Sequence, residues 1–107
     1  MEPTQLLKGV LEGCVLEIIR RKETYGYEIV QTLRDYGFES IVEGTIYPML
    51  IRCEKNGYVK SRKVESDIGP KRKVFSLTPE GEEYLKGFIL NWQKLEDNVN
   101  RLFKERS

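Results

Sequence analysis

The chain has 107 residues, 39% of them hydrophobic and 33% charged, a globular balance with material for one thin core. It has no histidine, and its two cysteines, Cys14 and Cys53, lack CxxC spacing; this removes the commonest general base and any zinc site, so no metal or cofactor is expected. The net charge of +1 hides a segregation: Arg52 to Lys73 holds eight basic residues against three acidic ones, a net +5, and the rest carries −4. Such separation favours an anionic partner at one surface, the alternative being an ordinary solvated hairpin.

Leu6 to about Lys22 reads as a first helix. Leu7, Leu11, Cys14 and Ile18 form its apolar stripe, widened by Val10, Val15 and Ile19. Gly9 and Gly13 each weaken the helix by about 1 kcal/mol relative to alanine, and their spacing is expected to admit a second backbone. Lys8, Glu12 and Glu17 interrupt the apolar run, so no membrane span is expected. With no signal-peptide pattern and two cysteines placed as free buried thiols, a reducing, cytoplasmic location is expected.

Thr24 is the expected N-cap of a second helix, Tyr25 to Tyr36, with Ile29 and Leu33 facing inward, Glu28 suiting the dipole and Gly37 ending it. Phe38 to Val42 connects to a third helix. That helix is expected to begin near Gly44, because Pro48 belongs in or close to a first turn, and to end at the Asn56-Gly57 C-cap. Ile46, Met49, Leu50 and Cys53 share its inner face; Gly44, Tyr47, Pro48, Ile51 and Lys55 lie opposite, with Arg52 at the margin. A small-surfaced outer face with aromatic and basic groups suits a DNA major groove.

Tyr58 to Glu65 and Arg72 to Leu77 read as two strands, with Tyr58, Arg62 and Val64 on one face and Gly69-Pro70 at the tip of the turn between them. Thr78-Pro79-Glu80 starts a last helix, Pro79 to about Arg106, roughly 40 Å long at 1.5 Å per residue. Leu85, Phe88, Trp92, Leu95, Val99 and Leu102 recur along it at spacings of 3, 4, 3, 4 and 3, a heptad seam expected to pack against the first helix and against a second copy of the chain. The expected fold is mainly α with a small β-hairpin: a winged helix-turn-helix over residues 1–77 and a C-terminal dimerisation helix over residues 78–107.

Tyr25-Gly-Tyr-Glu-Ile29, Gly44-Thr-Ile-Tyr-Pro48, Leu50 with Arg52 and Glu54, Asn56-Gly-Tyr58, Gly69-Pro-Lys-Arg-Lys73 and Leu77-Thr-Pro-Glu-Gly81 occur in order at fitting spacing. Together they resemble the PadR family of transcriptional regulators, in its compact subfamily with a single C-terminal helix. The resemblance implies a homodimeric repressor that binds an inverted-repeat operator and is released by a small aromatic effector or a stress signal. It places Gly44, Thr45, Tyr47, Pro48, Ile51, Arg52 and Lys55 on the reading helix and Lys71 and Arg72 on the wing. Tyr25 and Tyr27 stand where the family's tyrosines reach a phosphate. It also implies an effector site at Trp92, with Phe88 and Asn91 beside it, the alternative for Trp92 being interface packing.

Two positions depart from the family pattern. Ile51 stands where a basic residue is common, so either one backbone contact is missing or a thymine methyl takes its place. Cys53 replaces a leucine, a smaller core group. Independently of the resemblance, Lys63, Lys71, Arg72 and Lys73 have the charge to neutralise phosphates, and Arg52 is the candidate for a guanine contact. Rival readings are a winged-helix module that docks protein and a nonspecific nucleic-acid coating protein. An enzyme is not expected, since both cysteines lie on buried stripes and Glu82 and Glu83 on a solvated face.

Overall fold

The computed structural model describes residue 7, residues 9–65 and residues 69–106. Its elements are α1 (Leu11–Arg21), β1 (Thr24–Tyr25), α2 (Gly26–Asp35), α3 (Glu43–Lys55), β2 (Val59–Val64), β3 (Arg72–Leu77) and α4 (Pro79–Lys104). Leu6, Lys8 and the turn residues Ser66 to Ile68 lie outside the described residues.

Among the described residues Leu7 is helical and continuous helix runs from Leu11; between them Gly9 and Val10 form a turn in which the Val10 N–H donates to the Leu7 carbonyl at 2.9 Å. Its buried side, Leu11, Val15, Leu16 and Ile19, packs on Ile29, Val30 and Leu33 of α2 and on Ile46, Leu50 and Cys53 of α3. Gly13 does admit a close neighbour, but a side chain and not a backbone: a Cβ there would collide with the Phe88 ring of α4.

The expected hairpin is part of a three-stranded antiparallel sheet of order β1-β3-β2. Thr24 pairs with Phe75, and Tyr25 with Val74. Thr24 is therefore a strand residue and not the cap of α2; Tyr25 holds the N-cap position. The Glu28 carboxylate accepts from the Tyr25 N–H at 3.3 Å and from the Thr24 hydroxyl at 3.0 Å, so one acid closes the first turn and anchors β1. The central position of β3 explains why consecutive Val74 and Phe75 are both buried. Across β2 the core residue is Val59, on the face opposite that of Tyr58, Arg62 and Val64.

The helix ends follow local chemistry. After α3 the Tyr58 N–H returns to the Cys53 carbonyl at 2.9 Å and the Gly57 N–H to the Glu54 carbonyl at 3.0 Å, a Schellman cap made possible by φ 83° at Gly57. Thr78 caps α4 by accepting from the Gly81 N–H at 2.9 Å. Gly81 itself lies against the Tyr58 carbonyl oxygen, leaving no space for a Cβ and fixing the root of α4 on the start of β2. From there α4 runs 26 residues, about 39 Å, and every residue from Ile89 to Arg106 is exposed.

Pro48 does not mark the first turn of α3. The helix begins at Glu43, which puts Pro48 in its interior. The lost hydrogen bond falls on the outer face, where Gly44 and Pro48 are both exposed and no side chain crowds Gly44.

Candidate nucleic-acid interface

The inner face of α3 is buried as its spacing predicts: Ile46, Leu50 and Cys53 are fully covered and Met49 nearly so. Burial also pushes the Cys53 thiol up to about 11, with the Glu12 carboxylate adding to the effect. The opposite face presents Gly44, Thr45, Tyr47, Pro48, Ile51, Arg52 and Lys55, all exposed. Tyr47 is anchored, however. A Cβ at Gly26 would stand 2.9 Å from its ring, so Tyr47 leans on the first turn of α2 and keeps 42% of its surface open.

Beside Tyr47 lies a cleft of about 430 Å³, bounded by Tyr25, Gly26 and Tyr27 at the start of α2, Glu43 and Tyr47 of α3, and Lys71, Arg72 and Lys73 of the wing. The Arg72 guanidinium carbon sits 6.0 Å from the centre of the Tyr25 ring, a cation–π approach. The cleft thus brings both predicted tyrosines to the predicted wing residues. Glu43 is the acid among its lining residues, and sequence reasoning did not single it out; an anion in the cleft must sit on the wing side, away from that carboxylate.

Lys63 and Lys73 face each other across the β2–β3 ladder. Like charges directly opposite are unfavourable. Glu54 offsets part of this: its Oε1 lies 3.9 Å from Lys73 Nζ while its Oε2 accepts from the Ser61 hydroxyl at 2.6 Å. Lys71 has Glu65 at 3.4 Å, and Arg62 pairs with Glu23 behind the wing. The wing is therefore held by its acids and still offers Lys63 and Arg72 outward.

Arg52 departs from the groove-facing strip. Its Nε lies 4.0 Å from Glu12 Oε2 on α1. The Glu12 carboxylate also accepts from the Tyr84 hydroxyl, which raises that phenol to about 12, and the Tyr84 ring stacks on Tyr58 at 4.3 Å. One acid thus connects α3 with the root of α4. No local motif announces such a contact between distant residues.

Along α4 the heptad seam divides. Leu85 belongs to the chain's own core at 2% exposure, which removes it from a partner's reach, and Phe88 is half-buried on Gly13, the packing on the first helix that the seam predicts. Trp92, Leu95, Val99 and Leu102 remain exposed, joined by Ile89 and Phe103. Trp92, Leu95 and Val99 border an apolar groove of about 850 Å³ whose other side includes Leu7, Val10 and Phe38. Phe88 and Asn91 stand within about one turn of Trp92 on α4 but are not among the residues that line this groove. Among the described residues no helix is long and apolar enough to cross a membrane.

A helical core, a reading helix with its outer face bare, and a basic wing beside it define a winged helix-turn-helix protein. The sequence pattern described as the transcriptional regulator PadR-like family matches residues 15–87, and the chain belongs to that family: it is a transcriptional regulator and not an enzyme. A Streptococcus transcriptional regulator of known structure is 54% identical, covering 92% of this chain and 96% of that one, with a TM-score of 0.81. A PadR-like regulator from Bacillus cereus is 43% identical over 92% of this chain and 96% of its own, with a TM-score of 0.83. Bacillus subtilis PadR, a negative transcriptional regulator, is 25% identical over 96 residues, 88% of this chain and 53% of that one. Its structure in complex with operator DNA superposes with a TM-score of 0.69 at 24% identity, over 75% of this chain and 46% of that one.

Proposed function

We propose that the protein is a homodimeric repressor that binds an inverted-repeat operator, with α3 in the major groove and the wing on the backbone or minor groove. The observation that carries this is the Lys63–Lys73 pair beside the aromatic–basic cleft. A chain that keeps like charges opposite one another next to an uncovered helix face is shaped for a polyanion. The Bacillus subtilis relative, solved with operator DNA, supports the same partner.

Residues 1–77 make the DNA contact in this proposal and residues 78–107 the dimer contact. Trp92, Leu95, Val99 and Leu102 are each worth about 1.5–3 kcal/mol on full burial. Over two chains that is on the order of 10 kcal/mol before entropy, enough to hold a pair and set the distance between two reading helices. A flat aromatic effector enters beside Trp92 in the groove between α4, the residues just before α1 and the loop after α2, and releases DNA by favouring a spacing of the helices that the operator does not fit.

The test is selection of duplexes from a random pool by the purified chain, followed by mobility shift across salt. The expected result is a palindromic consensus whose log affinity falls steeply with log salt, by about 0.9 per phosphate contact. Retention of no duplex at low salt would leave a protein-docking module, and equal affinity for selected and random DNA a nonspecific coating protein.

A further inference from the structure

The middle of the reading face carries no hydrogen-bonding side chain. Gly44, Pro48 and Ile51 follow at i, i+4 and i+7 along the outer strip of α3, and Lys55 comes only one turn later. Ile51 is 62% exposed. The polar neighbours on α3 flank this strip: Tyr47 rests on Gly26, Arg52 is drawn toward Glu12, and Thr45 stays exposed on the flank beside Arg52. Next to Gly44 there is open space, so the helix can approach a surface closely there.

An aliphatic side chain pressed against the edge of guanine, cytosine or adenine strips water from donors and acceptors and returns no hydrogen bond. The major groove has one apolar feature that suits it, the C5 methyl of thymine. We infer that Ile51 is a specificity-determining residue that reads a thymine methyl in each half-site, with Gly44 and Pro48 giving the clearance for that approach. This rests on the DNA-binding function proposed above. It makes the central recognition apolar, leaving Arg52 and Lys55 to act at the flanks.

The experiment uses the full chain and duplexes it has selected. Each thymine is replaced singly by deoxyuridine, which deletes the methyl and leaves every Watson–Crick group in place. Affinity is measured for the wild type, Ile51→Ala and Ile51→Val. At one thymine per half-site the wild type should lose about fourfold, and about sixteenfold when both half-sites are changed. Ile51→Ala should bind thymine and uracil duplexes alike, and Ile51→Val should keep part of the difference. Because Ile51 is outside the core, unchanged circular dichroism and melting temperature are expected for both variants. A flat uracil scan for the wild type, or full methyl sensitivity retained by Ile51→Ala, overturns the assignment while leaving DNA binding intact. Failure to select any duplex overturns both.

Discussion

Arg52 Nε lies 4.0 Å from Glu12 Oε2, which ties the basic residue at the edge of the reading helix to the first helix of the core. To contact a guanine, the guanidinium must leave this pairing. Exposed ion pairs of this kind are worth no more than about 1 kcal/mol, whereas a bidentate guanine contact gives about 1–3 kcal/mol of discrimination. Arg52→Ala should therefore reduce the preference for selected over scrambled DNA by about 1–3 kcal/mol with no loss of fold. Glu12→Gln should raise affinity modestly. Competition binding checks both, and an Arg52→Ala variant of unchanged preference would place the polar readout elsewhere.

The wing calls for the opposite signature. Lys71 and Arg72 line the cleft at the start of α2 together with Tyr25 and Tyr27, where the proposed function puts a backbone phosphate. Lys71→Ala with Arg72→Ala should weaken every duplex about equally. If two contacts are lost in each half of a dimer, the salt slope becomes shallower by about 4. Titration at several salt concentrations checks this, and a variant that changes sequence preference without changing the slope would show base contact by the wing.

Which parts of this were legible in the sequence follows from the range of the interactions. The caps at Asn56-Gly57 and Thr78-Pro79 depend on neighbours in the chain, and the structure has them where the residues indicate. The inner face of α3 is likewise set by local periodicity. β1 was not legible, because two residues, Thr24 and Tyr25, become a strand only when β3 lies beside them. The seam on α4 predicts packing on the first helix and on a second copy, but nothing in its spacing says which residues do the first: Leu85 enters the core and Phe88 settles on Gly13, while Trp92 and Leu102 are left exposed. The start of α3 expected near Gly44 falls one residue from the observed Glu43, although Pro48 stands in the helix interior and not in its first turn, on an uncrowded outer face. The Glu12 junction joins residues far apart in the chain, and it is visible only in the fold.

Three glycines separate close packing from backbone cost. At Gly81 a Cβ meets the Tyr58 carbonyl oxygen, which cannot yield, and at Gly13 it meets the Phe88 ring, which can turn; at Gly87 it meets nothing. Gly81→Ala should destabilise by about 3 kcal/mol or more, Gly13→Ala by about 1–3 kcal/mol, and Gly87→Ala should stabilise by about 0.5–1 kcal/mol. Chemical denaturation orders the three; a neutral Gly81→Ala would mean that α4 does not sit on β2 as described.

Acid sensitivity has one identifiable source in α1. Glu17 is held at about 2 against an ordinary 4.5, first by its hydrogen bond to Arg20 and then by that to Arg21, against an opposing cost of burial. A carboxyl whose pKa is lowered by folding contributes stability fully above its unfolded value and loses it as pH falls through the folded one. The contribution should thus be complete above about 4.5 and fade toward about 2. Glu17→Gln should flatten the stability profile within that window and leave its shape above it unchanged. Since Arg21 also donates to the Tyr36 hydroxyl at 2.8 Å, the link from α1 to the end of α2 should survive the change.

The two ends of the α4 seam should respond differently to substitution. Leu85 is 2% exposed inside the core, so Leu85→Ala leaves a cavity in each chain and should cost about 2–5 kcal/mol of stability. Leu95 and Leu102 are 55% and 71% exposed, outside the buried core, so Leu95→Glu with Leu102→Glu should leave the winged helix folded. If these residues meet in a dimer, two acids per chain placed face to face should separate the pair. Sedimentation equilibrium would then read the mass of one chain in place of two. Affinity for a two-half-site duplex should fall by far more than affinity for a single half-site, because the second reading helix is no longer delivered with the first. A variant that remained dimeric would move the interface off this face of α4, and with it the groove beside Trp92.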